Sequence, residues 1–500
     1  MKCDVVVVGS GIAGLTAATL LAKNGKDVLV LERQRQFGGA IRQFRRKKIG
    51  FDVGFHYTGC LGEGEILDLL WRYCEVLPAL QVVPASKDGH DSYEFFDSKQ
   101  PVRGYFSYQR LAEELQSHFP AEKDAITTYL SSVQEKCSGI PFYNPELPLT
   151  PFLRGYKSRP ESLAEFLNSI TNDQRLKTVL TAPAFLYGVP VGQASLEVHS
   201  LVAHGYYSGA YTIGGGGQTI VDGFAAALKR QGVEMFSGRE VVSIHLEQGK
   251  VAGVNLADGE RIQCNQLIFT GHPSAVIDMV PENVFRPAYR KRLKALTNSL
   301  SMFAVFCKTE KAIDYTTGAL NYYLLPENGD PLPQFSATPT GERAMMMAGA
   351  GSRSGSADMS EADPHGAILL RLGYWQDVEQ FAASSQGERP RAYQEMKTRV
   401  ADEMVRAAEK RWGHVCGKVE QLATGSPLTF RDELAAPEGC AYGAMHCLNQ
   451  FTPDVRTRVP GLYLSGQSTL MTGVVGASIS GLVGAGEILG LEDLWGKVTR

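Results

Sequence analysis

The chain opens on an unbroken β-branched run, DVVVV at residues 4–8, the pattern of a strand buried on both faces of a parallel sheet. Glycines follow at once in GSGIAG (9–14), and LTAATLLAKNG (15–25) then predicts a helix stopped by Gly25. DVLVL at 27–31 predicts a second strand. Further along, Ile220, Phe224 and Leu228 recur at helical spacing within 219–231, with Gly232 as the C-cap. Residues 238–271 read as short strands turned at Gln248-Gly249 and Asp258-Gly259. Residues 461–489 read as a short strand, a glycine turn and a helix of small residues. The polar stretch 352–363 predicts a surface loop.

Chemistry enters with the glycines. Gly9 permits a tight turn, Gly11 lets backbone approach a diphosphate, and Gly14 lets the helix pack closely. The N-terminal amides of the helix 15–25 then face the phosphates with about half a positive charge, and Ile12 and Ala13 in the turn are expected cofactor contacts. Glu32, followed by Arg33, closes the second strand about 20 residues on, where a carboxylate accepts from ribose hydroxyls. Strand, glycines, helix, strand and acid in register indicate a dinucleotide site.

Composition narrows the remaining classes. At 500 residues, 44% hydrophobic and 21% charged, the chain is an ordinary globular protein of more than one domain. A formal charge of −3 gives no basic excess for nucleic acid. Nine scattered cysteines without a CxxC pair suggest neither a disulfide framework nor a metal site, and fit a reducing cytoplasm. A strand starting at Asp4 leaves no room for a leader peptide, and no apolar run reaches the roughly 18 residues of a membrane helix.

ERQRQFGGAI (32–41) adds Gly38, Gly39 and Ala40 after the acid. This second glycine pair resembles the continuation in the amine-oxidase and phytoene-desaturase superfamily, where it passes beside the flavin; the resemblance implies FAD rather than NAD. Residues 238–271 resemble that superfamily's second FAD segment, which implies that the backbone of Val242 meets the adenine side. Residues 461–489 resemble the segment covering the ribityl chain and flavin, which implies contacts from Gly466, Gln467, Gly473, Val474 and Val475. Gln467 stands where the family usually has an acid, so a neutral amide replaces any ionised contact there. The implied architecture is α/β: a discontinuous Rossmann-type FAD-binding domain from 1–75, 212–275 and 455–490, interleaved with an α+β substrate domain from 76–211 and 276–454.

FDVGFHYTG (51–59), HGYYSGAYTIGGGGQTIVDG (204–223) and SPLTFRDELAAPEGCAYG (426–443) narrow the resemblance to the branch containing retinol saturase and carotenoid isomerase. It implies a lipophilic polyene as substrate, with saturation, isomerisation or desaturation of its double bonds. His56, His204, Tyr206, Tyr207 and Glu197 are then candidate proton donors or positioning groups, although each also suits a structural position. Phe142, Tyr143, Phe152, Phe185, Tyr187 and Met345 to Met347 suit either a substrate tunnel or ordinary core. Two other functions stay open: an amine or amino-acid oxidase, marked by hydrogen peroxide formed from amines, and an escort protein for prenylated GTPases, marked by the lack of flavin. No motif identifies the electron donor or acceptor. The basic run RQFRRKK (42–48) and the Pro- and aromatic-rich 141–160 suit solvated loops or a peripheral contact with anionic lipid.

Overall fold

In this computed structural model the described residues are 1–86, 88–97, 100–155, 161–313, 318–333, 338–350 and 364–500. The expected loop at 352–363 lies outside them.

A parallel five-stranded sheet organises the chain's two ends, in the order Leu462–Leu464, Gln266–Phe269, Val5–Val8, Val28–Leu31, Glu234–Phe236. Period two divides its side chains between two cores. Val5, Val7, Val28 and Val30 pack under the helices Ile12–Lys23, Gly217–Arg230 and Gly473–Leu489. Val6, Leu29 and Leu31 face the antiparallel meander Val241–Glu247, Lys250–Leu256, Arg261–Gln263. Two of the helices touch backbone to backbone, since a Cβ on Gly481 would stand 2.4 Å from the Ala13 carbonyl oxygen.

A mixed seven-stranded sheet forms the second layer system, in the order Val419–Gly425, Ser301–Thr309, His365–Gly373, Met345–Ala350, Ala319–Leu325, His90–Phe95, Val102–Tyr105. Its neighbours are antiparallel except for the parallel pair Ala319–Leu325 and His90–Phe95. Met345 and Met347 pack beneath the helix Arg391–Cys416, while Met346 points through the opposite face. Each such buried side chain contributes about 1.5–3 kcal/mol.

Four details depart from the sequence expectations. The first helix starts at Ile12 instead of Leu15, because Gly11 is extended (φ −63°, ψ 171°) and the chain turns helical directly after it. The helix Gly217–Arg230 is capped at Gln231, and Gly232 (φ +75°) is the left-handed residue just beyond. Within 141–155 the aromatics pack inward: the Phe142 ring centroid lies 5.8 Å from Phe152 and 6.3 Å from Trp495, whose Nε1 donates to Leu147 O at 2.9 Å. These rings thus spend part of their surface on internal packing and stay half-buried, and 156–160 lies outside the described residues. Arg42 is buried and donates to Glu433 at 2.8 Å, so the exposed part of the basic run is Arg45 to Lys48, at the turn of the hairpin Gln43–Arg46 and Ile49–Asp52. All nine cysteines are free thiols, and among the described residues no helix is long and apolar enough to cross a membrane.

Candidate functional site

Four parallel strands release the chain at one edge of their sheet, into Gly9, Glu32, Thr270 and Ser465. Ligands of open α/β sheets bind outside that carboxyl edge. A cavity of about 650 Å³ begins there and runs to the seven-stranded sheet, a size within the range of small-molecule sites.

Its walls at the edge are backbone. Gly9 (φ +99°) donates to Leu31 O at 2.8 Å, and a Cβ on it would lie 2.3 Å from Thr270 Oγ1. Gly39 approaches so closely that its Cβ would lie 3.2 Å from Gly11 Cα, while a Cβ on Gly11 itself would meet nothing within 4 Å. Gly11 thus presents bare backbone to open space. The helices beginning at Ile12 and Gly473 both start at this cavity, placing two sets of unpaired amides at its wall.

Glu32 is 8% exposed and held from two sides. Its Oε2 accepts from the Ser10 amide at 2.9 Å and the Ser10 hydroxyl at 2.7 Å, and its Oε1 accepts from the Gln34 amide at 2.8 Å. Ser10 Oγ in turn accepts from the Gly38 amide at 3.1 Å, tying both glycine turns to the acid. At the cavity mouth, Val242 is 46% exposed; apart from Met1 it is the exposed large hydrophobic residue among those described, as expected of a platform for a flat ring. Bare backbone, two helix N-termini, a preorganised acceptor and an apolar platform together fit an adenine dinucleotide.

The far end is apolar and aromatic, walled by Tyr57, Phe185, Tyr206, Met302, Met346 and Leu370. Of the expected catalytic residues, His56 and Tyr206 line the cavity, whereas Tyr207, His204 and Glu197 do not. All but His56 ride on the helix Leu196–Tyr207, where successive residues diverge by about 100°. Tyr206 faces the cavity, so Tyr207 turns into the core, with its hydroxyl 3.2 Å from Tyr129. Tyr129 continues to His199 Nε2 at 2.8 Å, and His199 Nδ1 to Tyr187 at 2.9 Å. Burial pushes His199 down to about 4, so the ring in this chain is neutral. His204 Nδ1 lies 2.6 Å from the Tyr108 hydroxyl, and burial lowers its pKa too. Glu197 is half-buried, and burial raises its pKa.

Of the expected cofactor contacts, Gly9, Gly11, Ile12, Ala13, Glu32 and Arg33 line the cavity from the first two turns. Gly38, Gly39, Ala40 and Val242 join them, as do Gly466, Gln467, Gly473 and Val474. Gly14 sits behind the turn, where a Cβ would lie 2.0 Å from Gly9 O, and Val475 packs into the core under the sheet. Gln467 accepts through its backbone carbonyl from His446 Nε2 at 2.7 Å.

Sequence reasoning missed three features. Ser10 is an unspecified position of the glycine motif, and nothing local marks its bond to Glu32. Tyr57 stands beside His56 in a segment singled out above, and nothing local distinguishes it from the chain's other tyrosines. Asp91 is 3% exposed, with Oδ2 at 2.8 Å from the Tyr57 hydroxyl and Oδ1 accepting from Asn321 Nδ2 at 2.7 Å. Burial, only partly offset by these hydrogen bonds, pushes its carboxyl up to about 7. An acid inside the strand HDSYEF was the available signal.

The model of the flavin-containing amine oxidoreductases matches residues 12–489 of this chain. The chain belongs to that family. Its cofactor is FAD, and it is an oxidoreductase. All-trans-retinol 13,14-reductase of Macaca fascicularis is 28% identical over 545 residues, covering 99% of this chain and 88% of that protein. The chloroplastic prolycopene isomerase of Daucus carota is 25% identical over 520 residues, covering 98% and 81%. Among solved structures, an oxidoreductase from Methanosarcina mazei superposes with a TM-score of 0.65 at 17% identity, over 97% of this chain and 99% of that one, which shows the fold.

Proposed function

We propose that this chain reduces or isomerises carbon–carbon double bonds of a lipophilic polyene, with FAD laid from the glycine edge toward the apolar chamber. The observation that carries the proposal is the continuity of one cavity from the bare backbone of Gly11 to the uncharged wall of Tyr57, Phe185, Tyr206, Met302, Met346 and Leu370. The reductase and isomerase relatives, similar along almost the whole chain, support the same substrate class.

In this reading the diphosphate lies on Gly9, Gly11, Ile12 and Ala13, the adenosine between Glu32, Arg33 and Val242, and the flavin end among Gly38, Gly39, Ala40, Gly466, Gln467, Gly473 and Val474. Segments 1–75, 212–275 and 455–490 form the cofactor domain, and 76–211 with 276–454 the substrate domain. When bound, the flavin exchanges a hydride with one carbon of the double bond. The chain's residues do the rest: the methionine and aromatic wall orients an apolar chain and excludes water, and His56 and Tyr206 are the expected side chains placed to face it. Nine free thiols favour a reducing cytoplasm, and exposed Arg45 to Lys48 offer a peripheral contact with anionic lipid from which such a substrate is drawn.

The test is anaerobic. Holoenzyme, oxidised or reduced with dithionite, is mixed with retinoids and carotenoids, and flavin absorbance, product mass and double-bond geometry are followed. Conversion of a polyene supports the proposal. No conversion in either redox state, with rapid flavin reduction by an amine, replaces it with the amine-oxidase reading.

A further inference from the structure

Reduction of a double bond takes a hydride at one carbon and a proton at the other, and the buried acid Asp91 lies behind the chamber wall, bonded to Tyr57. We infer that Asp91 stores the proton that Tyr57 delivers into the cavity, Tyr57 being the donor to substrate and Asp91 the residue that positions and reloads it. The inference rests on the polyene reading above.

The geometry is specific. Tyr57 lines the chamber, and its ring is held at 4.8 Å from that of Tyr206. Asn321 donates to Asp91 Oδ1 and the Tyr57 hydroxyl donates to Oδ2 at 2.8 Å, which makes Oδ2 the oxygen that exchanges a proton with Tyr57. When Oδ2 carries the acid's proton, that proton is donated back to the Tyr57 oxygen, and the phenolic hydrogen is released from the carboxyl to turn toward the cavity that Tyr57 lines. Once Asp91 ionises, the same hydrogen is drawn onto the carboxylate and withdrawn from substrate.

Groups facing Asp91 from each neighbouring element are neutral. They are Tyr57 from the preceding loop, Tyr206 and Tyr207 from the helix Leu196–Tyr207, Tyr323 from the parallel strand and Tyr93 from its own strand. Burial raises each of these phenols above its ordinary range. A carboxyl pushed to about 7 in such a setting changes state near neutrality.

The step balances as follows in the reductive direction. Hydride, with its electron pair, arrives at one carbon from the flavin, itself reduced by an external two-electron donor. The π pair then forms a C–H bond at the second carbon with the Tyr57 proton as the phenolic O–H breaks. The phenolate recovers a proton from Asp91 Oδ2, and the carboxylate is reprotonated from solvent after product leaves.

The experiment uses dithionite-reduced holoenzyme, all-trans-retinol as probe, and the variants Tyr57→Phe and Asp91→Asn, each first checked for full flavin content. Wild type should reoxidise at a rate that falls tenfold per pH unit above about 7, as the acid form is lost. Tyr57→Phe should lose about 10²- to 10⁴-fold in rate. Asp91→Asn should react at least about tenfold more slowly at pH 6 and lose the inflection. Independently of turnover, infrared spectra of wild type should show a carboxylic-acid carbonyl band that vanishes near pH 7 and is missing in Asp91→Asn. A retained inflection in Asp91→Asn, or an infrared band unchanged by that substitution, overturns the inference. Failure of wild type to convert retinol or any carotenoid overturns the polyene reading and this inference with it.

Discussion

Replacing Asp91 by Asn should make the folded protein more stable at alkaline pH and leave it almost unchanged in acid. The amide reproduces the protonated acid in shape, with Nδ2 toward the Tyr57 oxygen and Oδ1 toward Asn321, but carries no ionisable proton. In wild type the carboxyl moves from an ordinary 3.8 to about 7 on folding, about three tenfold steps in proton affinity at about 1.36 kcal/mol each. Below about pH 4 both folded and unfolded chains hold the proton, so the group contributes nothing. Between about 4 and 7 the unfolded chain gives it up while the folded chain keeps it, so stability falls as pH rises. Above 7 the deficit levels off at roughly 4 kcal/mol, which Asp91→Asn abolishes. For 500 residues the unfolding entropy is about 1 kcal/mol/K, so that corresponds to a rise of about 4 °C in Tm at pH 8. Differential scanning calorimetry of both holoproteins from pH 5 to 9 checks it. A stability difference that stays constant over that range refutes a buried, proton-bearing Asp91.

Other outcomes follow from the same geometry. Gly11→Val should fold with normal Tm yet purify without flavin, because its side chain enters space where nothing lies within 4 Å; Gly14→Ala should lower Tm by several degrees, because its Cβ stands 2.0 Å from Gly9 O. Glu32→Gln removes a charged acceptor of three hydrogen bonds and should weaken FAD about 10- to 100-fold by equilibrium dialysis, about 1.4 to 2.7 kcal/mol. Tyr207→Phe should cost about 1 kcal/mol in denaturant melts through the lost Tyr129 bond while kcat stays within about twofold. Protein should sediment with anionic liposomes at low salt and be released by salt, and the variant with Arg45, Arg46, Lys47 and Lys48 changed to Gln should stay in the supernatant.

The parts of the fold legible from sequence are those whose signal is contiguous. DVVVV, GSGIAG and DVLVL lie within one stretch of chain, and their spacing alone specifies a βαβ turn. The seven-stranded sheet is different: His90–Phe95 finds its parallel partner at Ala319–Leu325, and no local pattern encodes a pairing over that separation. At the site, glycines announced themselves because a Cβ is sterically forbidden, whereas Ser10 and Tyr57 act through partners distant in sequence. The helix Leu196–Tyr207 failed for another reason. LEVHSLVAHGYY has too few polar positions to set its phase, so adjacent tyrosines were indistinguishable until packing turned one toward the cavity and the other into the Tyr129–His199 network.

The central strand Val5–Val8 is made first, but the edge strand Leu462–Leu464 that completes its sheet follows more than 450 residues later. At about 5–20 residues per second, a ribosome needs roughly 20 to 90 seconds to cover that gap. Throughout it, the glycine turn stands half-walled, and the helix Gly473–Leu489 that packs on Ala13 has yet to be made. Flavin capture is therefore a post-translational event, and a nascent chain must be kept from aggregating with one side of its first sheet bare. A premature stop codon as late as residue 461 still deletes a wall of the cofactor site, so that truncation abolishes the holoenzyme as completely as an early one.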